Sequence, residues 1–144
     1  MTPDASTTPG ARVVNASWIG TAVFTVASVL GVVAPSAFSG VSSAVSVALF
    51  LGGCVVFVAA FLRAVVQSRT DDITVANLFF LMGGSTPRAV RRHLFASLAL
   101  QVVVAVAAAA ARPFTSQATG ILAPMWGMGL CGLWAARHGS FEPR

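Results

Sequence analysis

The chain has 144 residues, 56% of them apolar and only 9% charged, with a mean hydropathy of +0.83. Soluble domains carry about 25% charged residues, so a water-soluble globule is excluded. The net charge of +5 comes entirely from arginine, since lysine is absent, and the arginines flank apolar segments instead of forming a patch. That distribution points to lipid headgroups and membrane orientation rather than to nucleic acid as a partner.

The first stretch, residues 1–12, is polar, rich in Thr and Pro, and expected to be a disordered tail ending at Arg12. A first membrane span follows over 13–34, with Trp18 near its start and Pro35 as its stop. A cleaved signal peptide is the competing reading, with Arg12 as a thin basic region and small residues near Ala34 and Ala37 as the cleavage site. The apolar run exceeds the usual signal-peptide core of about 7–15 residues, which favours a permanent span. A second span covers 41–62, contains no charge and ends at Arg63. A third, 94–111, lies between the Arg88, Arg91, Arg92, His93 cluster and the Arg112-Pro113 pair, and a fourth, 118–136, closes at Arg137 ahead of a tail over 137–144. Each is close to the roughly 20 residues a helix needs to cross a bilayer, and every backbone polar group must be paired within the segment. The expected fold is therefore all-α: a polytopic membrane protein with one four-helix transmembrane domain over 13–136.

The connection between the second and third spans adds a short interfacial helix over 71–82. Thr70 or Asp71 is its expected N-cap and Gly83-Gly84 its end, and ten apolar-rich residues are too few to cross. Phe79, Phe80 and Leu81 are expected to wedge against the bundle or a partner. Ser85 or Thr86 then caps the third helix, with Pro87 at its first position. That places Arg88, Arg91 and Arg92 as neighbours on its first exposed turns.

Arg63, Arg69, Arg88, Arg91 and Arg92 assign this connection to the cytoplasm by the positive-inside rule. Both termini then fall on the same side, with Arg12, Arg137 and Arg144, and the loops 35–40 and 112–117 face outward with Arg112 alone. Trp18 and Trp134 would sit near the inner boundary, where indoles favour the headgroup layer. The five arginines of the connection, with Phe79 and Phe80, are candidate contacts for anionic inner-leaflet lipids or for a partner.

Spans associate where small residues let backbones approach closely. Ala123, Gly127, Cys131 and Ala135 form such a row in the fourth span, as do Ala44, Ala48 and Gly52 in the second and Ser17, Thr21 and Thr25 in the first. These rows are expected to face other helices, in the same chain or in a second copy. Pro124 interrupts the fourth span by removing a bond to the Gly120 carbonyl, so a kink is expected there. No span holds Asp, Glu, His or Arg, and no catalytic or metal-binding motif is present. No enzyme, cofactor or metal site is expected, and Cys54 and Cys131 read as small packing residues.

The segments Thr70-Asp-Asp-Ile-Thr-Val-Ala-Asn-Leu-Phe-Phe-Leu81, Arg112-Pro-Phe-Thr115 and Trp134-Ala-Ala-Arg-His-Gly139, on an arginine-only Ala/Val-rich background, resemble uncharacterised small four-span integral membrane proteins of actinobacteria. The resemblance covers the region after Phe61 and implies location alone. Small multidrug exporters have a similar span count, but their first helix carries a glutamate that this first span lacks. The functional expectation is a non-enzymatic accessory or scaffold subunit of a complex in a bacterial plasma membrane. The alternative is an uncoupled pore or small-solute carrier formed by self-association, lined by Ser17, Thr21, Thr25, Ser42, Ser46 and Gln101.

Overall fold

Four helical passages are long and apolar enough to cross a membrane, and they make the chain a multi-pass, all-helical membrane protein. The computed structural model describes residues 10–82, 84 and 86–143; most of the expected tail (1–9), Gly83 and Ser85 of the connection, and Arg144 lie outside the described residues. Helix α1 is Ala11–Val33, α2 is Pro35–Gln67, the short α3 is Val75–Phe79 and α4 is Arg88–Ala111. The fourth passage is a 3-10 segment, Ser116–Leu122, followed by α5, Met125–His138.

The first two passages form a tighter hairpin than expected. The loop read over 35–40 is instead the opening of α2, and Ala34 alone separates the helices. Its N–H donates to the Leu30 carbonyl (2.8 Å) and its carbonyl accepts from the Phe38 N–H (3.0 Å), so one residue closes α1 and opens α2. Pro35 permits this because the first helical position needs no N–H and favours a fixed φ. At 33 residues α2 is about 50 Å long, well beyond the roughly 30 Å hydrocarbon core, so it tilts or projects at an end. It runs past Arg63, the expected stop, to Gln67.

Pro124 does more than kink the fourth passage. The Ala123 N–H reaches back three residues to the Gly120 carbonyl (3.0 Å), occupying the acceptor that Pro124 cannot serve. The α-helix restarts with the Met128 N–H donating to the Pro124 carbonyl (3.1 Å). Because a 3-10 segment rises about 2.0 Å per residue, the seven residues before the break and the fourteen after it still span about 35 Å.

In the bundle, α1 packs against α2 and α4, while α5 and its 3-10 segment pack against α2 and α4 as well, leaving α2 and α4 on opposite flanks. The main core lies toward the arginine-rich end and includes Ala60, Leu78, Phe79, Leu94, Leu130 and Trp134. A smaller one, Phe24 with Ala105 and Ala123, lies farther along. Trp134, expected at the headgroup layer, is wholly buried. Gly10 lies against it: its φ is 77, and an added Cβ would fall well inside van der Waals contact of the Trp134 Nε1, so any side chain there would strike the ring.

Ala123, Gly127, Cys131 and Ala135 all face the interior. The row expected in α2 does not: Ala44 and Ala48 are exposed and Gly52 is half-buried beneath Trp126, while Ser42, Ser46, Gly53, Ala60 and Ala64 are buried. Hydroxyls that would lack a partner in lipid turn this helix, and alanine, indifferent between lipid and protein, follows. The closest backbone approach is at Gly53, where an added Cβ would lie 2.5 Å from the Met125 carbonyl carbon, and at Gly129, where it would lie 2.6 Å from the Gly53 carbonyl oxygen.

Candidate functional site

The arginine-rich end holds the connection between α2 and α4, the first turns of α4 and the tail after α5. Beyond α2 the chain runs alongside the tail: Asp71 pairs with Pro143 as an isolated antiparallel bridge, and the Asp72 N–H donates to the Glu142 carbonyl (2.8 Å). The N-cap of α3 is Thr74, not Thr70 or Asp71, and its Oγ1 accepts from the Asn77 N–H (3.2 Å). Pairing of 71 and 72 with the tail uses backbone that an earlier helix start would have needed.

With only five residues, α3 serves to aim side chains. Leu78 and Phe79 are buried, and Phe79 stacks on Phe57 with ring centroids 4.2 Å apart, over Gly132. Leu81 adopts a left-handed φ of 50°. That conformation costs about 1–2 kcal/mol and is offset by burying the whole leucine side chain, worth about 1.5–3 kcal/mol. Phe80 is not part of the wedge. It faces outward at 49% exposure, with Val75 at 62% and Met82 at 49%.

The arginines divide by what they touch. Arg63 donates from Nε to the Ala136 carbonyl (3.0 Å), serving an acceptor in the last turn of α5. At the other end Arg112 does the same for α1, donating from Nη2 to the Val32 carbonyl (3.1 Å). Neither role was visible in the sequence, where both read as span boundaries. Arg88, Arg91 and Arg92 are exposed on the first turns of α4 and, with Phe95, line a pocket of about 370 Å³. The Arg91 guanidinium lies 5.8 Å above the Phe95 ring centroid. Pro87 is the N-cap of α4 rather than its first residue and supplies no side-chain cap, while Thr86 Oγ1 is buried without a partner. Arg69 is exposed. Between α1 and α4, Val14, Asn15, Trp18, Val90 and His93 line a neighbouring groove of about 430 Å³, where Trp18 meets His93 edge-on at 6.5 Å.

Inside the bundle the polar side chains form two separate groups. Toward the arginine-rich end, Ser17 and Ser97 share a hydrogen bond, Thr21 donates to the Ser17 carbonyl (2.8 Å), and Gln101 donates from Nε2 to Thr21 Oγ1 (2.7 Å). Gln101 Oε1 is buried without a partner. Toward the other end, Ser42 donates to Gln117 Oε1 (3.0 Å) and Ser46 to the Ser42 carbonyl (2.9 Å). Along α1 the buried Phe24, packed with Ala105 and Ala123, falls between the groups. Trp126 crosses from α5 to donate from Nε1 to the Ala16 carbonyl (3.2 Å). Cys54 is half-buried and Cys131 buried, both as free thiols.

Comparison of the chain with protein-family models, with curated proteins and with solved structures finds no match.

Proposed function

We propose that this four-passage protein is a non-enzymatic accessory or scaffold subunit of a bacterial plasma-membrane complex. In this reading the arginine-rich end is cytoplasmic and engages a partner through the connection. One observation carries it: Val75, Phe80 and Met82 stand outward on a connection that buries Leu78, Phe79 and Leu81 and half-buries Ile73. A connector built only to close the bundle would have no need to present three large apolar groups at the membrane edge. Positive-inside counting supports a cytoplasmic position for them, because Arg63, Arg69, Arg88, Arg91 and Arg92 share their end while the opposite turns carry Arg112 alone. The reading keeps α1 as a permanent span, since Ser17, Thr21 and Phe24 belong to the interior.

A pore within one copy is disfavoured, because the two polar groups are separated by Phe24 and spend their hydrogen bonds on each other or on their own helices. Copurification in mild detergent from the native membrane tests the scaffold reading. Wild type should retain a defined partner that a variant with Val75→Ser and Phe80→Ser loses; a chain recovered alone in both forms overturns it.

A further inference from the structure

We infer that Arg88, Arg91, Arg92 and Phe95 form a binding site for the phosphodiester headgroup of an anionic phospholipid. The inference rests on the membrane reading of the chain but not on which face is cytoplasmic or on a protein partner.

Arg88, Arg91 and Arg92 line, with Phe95, one pocket of about 370 Å³ at the start of α4, its wall made mainly of their aliphatic stems and the ring. Spaced at i, i+3 and i+4, they repel one another on the helix surface, an arrangement that disfavours the helix unless an anion is shared among them. The protein itself supplies none: the side chains of Arg88, Arg91 and Arg92 make no hydrogen bond or ion pair with another described residue. Arg63 and Arg112, by contrast, are each committed to a carbonyl. Asp71 and Asp72 are tied by backbone to the tail at the end of α5. Guanidinium donors are forked and planar and match phosphate oxygens in pairs, which a solvated point charge does not.

The fourth wall selects a lipid over a free anion. Phe95 lies one turn farther into the apolar part of α4, half-buried, and its ring sits beneath the Arg91 guanidinium at 5.8 Å. That cation–π contact holds the Arg91 head near the ring without using its N–H donors. The exposed arginine heads at the start of α4 and the apolar, aromatic pocket beside their stems follow the order of phosphate and glycerol in a phospholipid. The first turn of α4 adds to this, because Pro87 gives no side-chain cap and the N–H groups of residues 88–90 precede the first helical bond, from the Arg91 N–H to the Pro87 carbonyl.

The test titrates the purified full chain with a phosphatidylglycerol, a phosphatidylcholine and inorganic phosphate, following bound lipid by native mass spectrometry. Phosphatidylglycerol should bind at least tenfold tighter than phosphatidylcholine, and millimolar phosphate should not displace it. Each of R88Q, R91Q and R92Q should weaken binding about fivefold, and the triple variant about a hundredfold, at low salt. R69Q, outside the pocket, should leave the preference for phosphatidylglycerol over phosphatidylcholine unchanged, and R91K should recover only part of the R91Q loss. Thermal unfolding of each variant confirms that the exposed substitutions leave the fold intact. Equal binding of the two lipids, or a triple variant that binds as wild type does, overturns the site. Inorganic phosphate competing as well as the lipid overturns the lipid assignment.

Discussion

Replacing Gly53 by alanine probes the seam on which the bundle closes. The new methyl would lie 2.5 Å from the Met125 carbonyl carbon and 2.6 Å from both the Met125 oxygen and the Trp126 nitrogen. All three are backbone atoms, so no rotamer change relieves the clash. Carbon contacts are favourable near about 3.5–4.0 Å, so α2 and α5 must separate by about 1 Å. That movement also disturbs Gly129 on the Gly53 carbonyl and Trp126 on Gly52. Overpacking of this kind costs about 1–3 kcal/mol, and the backbone partners place Gly53→Ala at the upper end. A helix-propensity gain of about 1 kcal/mol offsets part of it, leaving a net loss of about 2 kcal/mol. Gly40→Ala is the control, because it also replaces a glycine within α2 but its methyl meets nothing within 4 Å. Reversible unfolding in mixed micelles, followed by circular dichroism, should raise the unfolding constant of Gly53→Ala about thirtyfold, while Gly40→Ala stays at or below the wild-type value. Equal stability of the two variants would refute the close approach of α2 and α5.

The connection and the helix ends give further expectations. Phe79→Ala removes a buried ring stacked on Phe57 and should cost about 3–5 kcal/mol in the same assay, whereas Phe80→Ala should stay within about 0.5 kcal/mol and act on partner retention. Arg63→Gln leaves the Ala136 carbonyl without its donor and should cost about 1 kcal/mol, given the exposure of the arginine. Gln101→Leu removes one hydrogen bond and one unpartnered buried oxygen together. Since hydrogen bonds between membrane helices average about 0.6 kcal/mol, the change should be within about 1 kcal/mol, and a loss above about 2 kcal/mol would show that the polar group organises the bundle.

The four passages were legible because lipid imposes a length and a composition on whatever crosses it, and the breaks at Arg63, His93 and Arg112 stand out from an apolar background. Facing was harder to read. In water an amphipathic helix advertises its buried side, but in lipid both sides are apolar and only the polar residues report. Ser17, Thr21, Ser42 and Ser46 did so, and all are buried. In α2 the Ala44, Ala48, Gly52 row followed spacing by fours, whereas the buried face follows Ser42, Ser46 and Gly53, about 140° around the helix. Pro35 was read as a stop when it is a start, because proline suits the first turn of a helix as well as it ends the one before. The burial of Trp134 against Gly10, the return of the tail to Asp71, and the capping by Arg63 and Arg112 join residues distant in the chain, and no local pattern encodes them.

Orientation is tested most directly by labelling single cysteines in intact cells with a membrane-impermeant maleimide, in a chain whose Cys54 and Cys131 are replaced by alanine. Pro113→Cys occupies the exposed turn after α4, and Arg69→Cys the exposed turn after α2. With the arginine-rich end cytoplasmic, Pro113→Cys reacts from outside and Arg69→Cys reacts only after the membrane is permeabilised. Labelling of Arg69→Cys in sealed cells would contradict the orientation on which the proposed function stands.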